Sequence, residues 1–197
     1  DIVQYQGQNI PIDLERSVPM HVLMYHKPEG EICSSSDPQG RVSVFTKLPP
    51  CPEGKWIMVG RLDYQTAGLL LFTNHGQLAH KLMHPSSNIL RTYKVRVYGN
   101  IDQSIIQELQ EGIMLDGKKA KFETIKALPK SGANSWFVVQ LSEGRNREVR
   151  RLFEHFDIQV NRLIRTHYGP LGLPGSLAKG CYKMLDTKQQ QRLEQAT

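Results

Sequence analysis

Residues 60–73 carry the strongest structural signal in the chain, and they read GRLDYQTAGLLLFT. The run from Leu69 to Phe72 is continuously apolar, which is typical of a strand buried on both faces. Ahead of this run, Asp63 lies between Gly60 and Gly68, and glycine permits sharp turns and close backbone approach. The stretch therefore predicts a loop that presents a carboxylate, followed directly by a buried strand.

Short strands and helices follow one another irregularly on both sides of this segment. Apolar runs and alternation predict strands at 21–25, 56–59, 93–98, 113–115, 120–128, 136–141, 160–165 and 182–185. Helical spacing predicts helices at 76–83, 101–111 and 147–156, and one that begins at Thr187. Segment 93–98 alternates like an edge strand or a half-buried strand. Because regular strand–helix alternation is absent, we predict an α+β fold with a mixed, mostly antiparallel sheet and flanking helices.

The composition describes a basic globular domain. The 197 residues have a net charge of +6, with 39% hydrophobic and 22% charged side chains, so a packed core is expected and global disorder is not. The excess of positive charge favours a polyanionic partner. No apolar run approaches the roughly 18 residues that span a bilayer, and residues 1–9 lack the pattern of a signal peptide.

Cysteine and histidine positions argue against a disulfide scaffold and against a metal site. The three cysteines form no C-x-x-C, so we expect reduced thiols in a cytoplasmic protein. His80 and His84 have helical spacing, but no H-E-x-x-H is present and Pro85 ends the helix at once. Residues 169–180 are rich in glycine but contain no dinucleotide or phosphate-loop pattern, so they predict a plain loop.

A second segment that could carry chemistry is rich in arginine. Residues 143–151 read EGRNREVRR, and residues 141–167 hold six arginines together with His167. The residues alone leave two interpretations equally open, a phosphate-binding surface or a solvated helix face with ion pairs to nearby glutamates. For Asp63 they favour a turn residue that caps its own backbone over a catalytic group. For Tyr93 they favour a core aromatic.

Five motifs, taken in order, resemble the RsuA-type pseudouridine synthases. The motifs are GRLDYQTAGLLL at 60–71, LAHKLMHP at 78–85, RTYKVRV at 91–97, EGRNREVRRLF at 143–153 and RLIRTHYG at 162–169. The resemblance covers roughly residues 20 to 186. It implies a pseudouridine synthase catalytic domain with a central cleft, which isomerises a uridine of ribosomal RNA without cofactor or metal. The substrate implied is large-subunit RNA or a ribosomal assembly intermediate.

The resemblance also implies roles for individual residues. Asp63 matches the catalytic aspartate, Tyr93 the residue that stacks on the target base and takes part in proton removal, and Arg150 the arginine paired with the aspartate. Arg61 and Thr66 belong to the active-site motif. The arginines expected to hold phosphates are Arg145, Arg147, Arg151, Arg162 and Arg165. The target uridine must leave its stack to be reached, since its glycosidic bond breaks and re-forms.

Two positions depart from the family pattern, and several questions stay open. His75 stands where an aspartate is common, and Glu148 where related branches often carry glutamine. Asp63 could attack the ribose or act as a base. The alternatives to a large-subunit enzyme are a synthase for small-subunit RNA or tRNA and a non-catalytic module for RNA binding or ribosome assembly. We expect a monomer without membrane contact.

The chain is predicted to divide near residue 20. Residues 2–12 alternate weakly around Gly7-Gln8-Asn9, which predicts a hairpin, and residues 13–19 read as a connector. Family members often carry a small N-terminal RNA-binding module. We therefore expect residues 1–20 to be a remnant of that module or a linker, and residues 21–197 to be the catalytic domain.

Overall fold

The computed structural model describes residues 18–129 and 132–197, together with the backbone of residues 3–5 and 8–10. These residues form thirteen strands and four α-helices. The strands are β1 (Val3–Tyr5), β2 (Gln8–Ile10), β3 (Val22–Lys27), β4 (Ile57–Val59), β5 (Ala67–Thr73), β6 (Arg91–Tyr98), β7 (Ile113–Leu115), β8 (Lys118–Ala120), β9 (Thr124–Ala127), β10 (Asn134–Leu141), β11 (Val160–Tyr168), β12 (Leu171–Gly172) and β13 (Tyr182–Met184). The helices are α1 (Gly76–Met83), α2 (Gln103–Glu111), α3 (Glu148–Glu154) and α4 (Thr187–Gln195).

Nine of these strands form one sheet. Its order is β13-β3-β5-β11-β6-β10-β9, with β4 also paired to β5 and β12 to β11. Among the described strands only β5 and β11 run parallel, where Ala67 faces Ile164 and Gly68 faces Arg165. The predicted α+β fold with a mixed, mostly antiparallel sheet is therefore confirmed.

Strand β5 is buried on both faces, as its unbroken apolar run predicted. Leu69 and Leu71 belong to one hydrophobic cluster, whereas Leu70 and Phe72 belong to another on the opposite face. All four side chains have no exposed surface. Each face of the strand therefore needs apolar residues, which explains why the sequence does not alternate here.

The other half of the sheet is covered on one face only. The inward residues of β6, Tyr93, Val95 and Val97, join a cluster that includes Leu109 of α2 and Leu152 of α3. Strand β6 lies between β11 and β10, so it is not an edge strand. Its apolar and polar residues alternate because only one of its faces is covered. The interpretation of 93–98 as half-buried is correct, and the edge alternative is wrong.

The segment predicted as one strand at 120–128 is two strands. The hairpin of β7 and β8 turns through Asp116 and Gly117, which both have positive φ, and β9 then joins β10 in the main sheet. The break occurs because Phe122 is buried and donates its backbone N–H to the carbonyl of Leu109. The hairpin predicted near the N-terminus is present as β1 and β2, but Gln8 and Asn9, which were predicted to lie in its turn, belong to β2 and pair with β1.

Candidate active site

A cleft of about 1290 Å³ opens beside the loop between β4 and β5. Its lining includes most of the predicted site residues, namely Asp63, Tyr93, Arg61, Thr66, Arg145, Arg147 and Arg165. Arg150, Arg151 and Arg162 do not line it. Segments far apart in the sequence thus meet at one cavity that is large enough for a nucleotide.

The turn that carries Asp63 is fixed through its backbone. The carbonyls of Asp63, Tyr64 and Gln65 accept hydrogen bonds from Thr66 N–H, Gly30 N–H and the Arg150 guanidinium at 3.0, 2.9 and 3.1 Å. The Asp63 carboxylate, which is half-buried, has no hydrogen-bond or ion-pair partner among the described residues. The loop therefore holds the residue firmly and leaves its carboxylate available to the cleft.

The side chain of Lys27 anchors the same turn, a role that the sequence motifs did not indicate. Its side chain is fully buried at the end of β3, and its Nζ donates to the carbonyls of Pro28, Asp63 and Thr66 at 2.9, 3.2 and 2.9 Å. Burial lowers the pKa of Lys27. The available signal was a lysine that directly follows an apolar strand and precedes Pro28.

The anchoring role of Lys27 is testable by Lys27→Met. We expect the free energy of unfolding to fall by about 2 kcal/mol, because buried carbonyls of the turn lose their donor. Urea unfolding followed by tryptophan fluorescence measures the change, with Lys81→Met on the exposed side of α1 as the control. A variant as stable as wild type would show that the carbonyls of the turn do not depend on Lys27.

Arg150 contacts the turn but not the Asp63 carboxylate. It is 5% exposed, and its two terminal nitrogens donate to the carbonyls of Val160 and Gln65 at 2.7 and 3.1 Å. Within the described residues no ion pair joins it to Asp63, so the expected direct pairing is not observed. Burial is the main cause that lowers the pKa of Arg150, and the charge of Asp63 opposes that effect. Arg150 therefore acts on Asp63 through the loop and through its field.

Arg165 and Tyr93 lie side by side in the sheet. Across β5, β11 and β6, Arg165 faces Gly68 on one side and Tyr93 on the other. Arg165 is 2% exposed, and its Nε donates to the carbonyl of Leu69 at 2.8 Å. Its burial favours a structural role, and its predicted role in holding a phosphate stays a prediction because it also lines the cleft. Tyr93 both belongs to the core and lines the cleft, so its two interpretations are compatible.

Three further arginines predicted to hold phosphates already have protein partners. Arg145 bonds Glu143 and the carbonyls of Lys118 and Lys119. Arg147 bonds Glu154 at 3.3 Å, and Arg151 bonds Asp116 at 2.7 Å. Arg61 is exposed and Arg162 half-buried, and neither has a hydrogen-bond or ion-pair partner among the described residues. The sequence therefore located the arginine-rich segment correctly but could not separate its structural members from its free ones.

The two departures from the family pattern have local structural roles. The His75 side chain accepts a hydrogen bond from the Leu78 N–H at the start of α1. The buried Glu148 carboxylate accepts one from the Arg145 N–H at 2.9 Å, and burial raises its pKa. Neither side chain is hydrogen-bonded to Asp63.

Within the described part of the chain, no group of three or more His, Cys, Asp or Glu side chains is arranged to hold a metal ion. No helix there has the length and apolar character needed to cross a membrane.

Comparison with known proteins finds one family model and several named relatives that match this sequence. The family model described as RNA pseudouridylate synthase matches residues 21–155. Ribosomal large subunit pseudouridine synthase B of Salmonella typhimurium is 47% identical over 187 residues, which are 95% of this chain and 64% of the relative. The protein of the same name from Pasteurella multocida is 52% identical over 84% of this chain and 48% of its own length. The chain thus spans less than two thirds of these relatives.

Solved structures give the same fold. A crystal structure described as pseudouridylate synthase superimposes with a TM-score of 0.75 at 29% identity, covering 91% of this chain and 74% of that one. The Cbf5-Nop10-Gar1 complex matches with a TM-score of 0.56 at 17% identity, covering 81% of this chain and 52% of that one. The second likeness concerns the fold alone.

Proposed function

Because the chain belongs to the RNA pseudouridylate synthase family, we propose that it isomerises a uridine of large-subunit ribosomal RNA to pseudouridine. The family predicted from the five motifs is confirmed. The cleft, the basic net charge and the names of the relatives support the proposal. We further propose that residues 21–197 are the catalytic domain, that residues 1–20 are a remnant of an N-terminal module or a linker, and that the protein acts as a cytoplasmic monomer.

The observation that carries the proposal is the combination of a rigid turn with a free carboxylate. All four carbonyls of residues 63–66 accept hydrogen bonds, so the position of Asp63 is set before substrate arrives. The Asp63 carboxylate attacks the ribose or acts as a base towards it, and the N1–C1′ bond breaks. The uracil then turns and forms a C5–C1′ bond, as any bond between Asp63 and the ribose breaks or the proton taken from the ribose returns. C5 finally loses its proton to a base and N1 gains one, so the product is an isomer of the substrate. A side chain that only capped its own turn would be engaged with a backbone N–H.

Tyr93 provides the surface on which the extruded base would rest. It lines the cleft beside Asp63, and its ring is held in the core by neighbours such as Val95 and Val139. A fixed aromatic ring can stack on an unpaired base without reading its sequence. Its restricted freedom keeps the stacked uracil close to the carboxylate while the base rotates.

The arginine contacts divide into two groups. Arg150, which bonds the Gln65 carbonyl, is a positioning residue for the turn of Asp63. Arg61 is exposed at the cleft next to that turn, so its guanidinium is available to a phosphate of the substrate. We assign substrate binding to Arg61 first. Arg145, Arg147, Arg151 and Arg165 bond other parts of the protein and are assigned to structure first.

This division predicts different salt dependences of RNA binding. Arg61→Gln should reduce the slope of log affinity against log salt concentration by about 0.7, the contribution of one phosphate contact on single-stranded RNA. Arg165→Gln should leave the slope unchanged and lower stability instead, because Arg165 is buried. Filter binding at several salt concentrations measures the slopes, with Lys55→Gln as the control. An unchanged slope for Arg61→Gln would assign that residue to structure.

The function itself is tested by mapping pseudouridines across ribosomal RNA from cells that lack the protein. We expect one or a few sites to disappear, to return with the wild-type gene and to stay absent with an Asp63→Asn gene. A full set of pseudouridines in the deletion strain would contradict the proposal. If instead the wild-type protein binds ribosomal RNA tightly and alters no uridine, the non-catalytic alternative replaces it.

A further inference from the structure

The half of the sheet around β6 and β10 has an uncovered face on the side opposite the cleft. Tyr93, Val95 and Val97 of β6 point into the core beneath α2 and α3, so the alternating residues Lys94 and Arg96 point the other way. The cross-strand partners of these two, Val138 and Trp136 of β10, share their face. Trp136 is half-buried and belongs to none of the hydrophobic clusters of the described residues.

Positive charge collects around this tryptophan. The Nζ of Lys94 and the guanidinium carbon of Arg96 lie 4.7 and 5.7 Å from the centre of the Trp136 ring. Strand pairing places Lys126 of β9 opposite Val138 and Arg162 of β11 opposite Arg96, so both side chains share this face. We call the five side chains the outward face, and they are Lys94, Arg96, Lys126, Trp136 and Arg162.

The cations of the outward face form no ion pairs among the described residues, although the charge of Arg162 helps to lower the pKa of Glu29. In the part of the chain that the structure describes, none of its four basic side chains lies within 4.0 Å of a carboxylate. Arg96 donates only to the amide oxygen of Asn161, at 2.8 Å. Three arginines of the segment 143–151 differ, because Arg145, Arg147 and Arg151 are each paired with a carboxylate. The outward face thus carries positive charge around an aromatic ring, and no carboxylate of the described residues forms a close ion pair with it.

We propose that the outward face is a second RNA-binding surface, which holds a single-stranded segment beyond the nucleotide bound in the cleft. Phosphates would bind Lys94 and Arg96, and the indole face released by these cations would stack on a base. An acidic protein would satisfy the charges but would gain nothing from the ring. The inference rests on the proposed function, in that the polyanion is taken to be RNA.

The proposal is tested by the fluorescence of Trp136. The chain has two tryptophans, so Trp56→Phe leaves Trp136 as the only one. In that background, a 30-nucleotide oligouridine should quench the emission and poly-glutamate of matched charge should not. Absence of quenching at saturating oligouridine would overturn the proposal. Equal quenching by poly-glutamate would also overturn it, in favour of an acidic protein partner.

Charge removal provides the second measurement. In the double variant Lys94→Gln/Arg96→Gln, affinity for the oligouridine should fall about tenfold and the salt slope by about 1.4, because two phosphate contacts are lost. The double variant Lys55→Gln/Lys188→Gln removes the same charge from exposed positions elsewhere and should leave both quantities near wild type. Equal losses of affinity in both variants would show that binding depends only on net charge, and this would overturn the proposal. Circular dichroism confirms that each variant is folded.

Failure of this inference is distinguishable from failure of the proposed function. Asp63→Asn in the Trp56→Phe background should keep the quenching of Trp136, because Asp63 lies on the other side of the sheet. If quenching occurs in the Trp56→Phe protein with Asp63 intact, and that protein and wild type convert no uridine, the outward face stands and the enzymatic proposal fails. If uridine is converted and Trp136 does not respond, the enzymatic proposal stands and the outward face is not an RNA surface.

Discussion

Asp63→Asn should reduce the conversion of uridine to pseudouridine by at least about a thousandfold, which is the scale of losing a group that acts directly on the reacting bond. The amide has nearly the same shape as the carboxylate but is neither a base nor an effective nucleophile. The turn beneath it is held by backbone contacts to Lys27, Gly30 and Arg150, and these contacts do not involve the Asp63 side chain. The variant should therefore fold normally, bind RNA and fail only in the chemical step.

The measurement is single-turnover conversion of a ribosomal RNA fragment, with binding and unfolding followed in parallel. Unfolding free energy should stay within about 0.5 kcal/mol of wild type, as for substitutions that break no buried contact. Asp102→Asn is the matched control, because the Asp102 side chain makes no capping hydrogen bond before α2. Substantial turnover by Asp63→Asn would show that the reaction does not require the Asp63 carboxylate. Loss of folding would show that Asp63 is structural.

Gly68→Ala should cause the largest loss of stability among single substitutions near the site. A Cβ at this position would lie 2.2 Å from the backbone oxygen and 2.5 Å from the backbone nitrogen of Arg165. Gly68 also has a φ of +118°, which residues with a side chain rarely adopt. Since backbone atoms cannot rotate away as a side chain can, β5 and β11 must separate, at a cost of about 4 kcal/mol or more.

Two other glycines separate the causes of that loss. Gly54→Ala introduces a side chain at a φ of +75° with no atom within 4 Å, so it isolates conformational strain, at about 1 kcal/mol. Gly175→Ala has neither a positive φ nor a close neighbour and should be neutral. Chemical unfolding of the three variants gives the comparison. If Gly68→Ala costs no more than Gly54→Ala, the close approach of β5 and β11 is not the reason for the glycine.

The sequence predicted what depends on local pattern and missed what depends on distant partners. Strand β5 and helix α1 follow from apolar spacing within a few residues, and the predicted bounds of α1 agree with the structure. These features are encoded by neighbours along the chain. The glycines at positions 60 and 68 permitted either a sharp turn or a close backbone approach, and only the structure shows that Gly68 lies against the backbone of Arg165.

The roles of the arginines could not be predicted in the same way. Arg151 is engaged by Asp116 and Arg145 by backbone carbonyls of β8, and both partners lie on a hairpin about thirty residues earlier. Composition shows the number of positive charges but not which of them are already paired. The contact expected between Arg150 and the Asp63 carboxylate is likewise replaced by a bond to the carbonyl of Gln65, a difference that motif matching does not resolve.

The parallel pairing of β5 with β11 makes assembly of the candidate active site a late event in the folding of the chain. Residues 67–68 must meet residues 164–165, and closing a segment of about a hundred residues is slow compared with forming a local hairpin. During synthesis on the ribosome, Asp63 emerges long before Arg150 and β11 exist to hold its turn. If the chain has the proposed activity, we expect a nascent chain to leave the RNA around it unmodified until β11 has been translated.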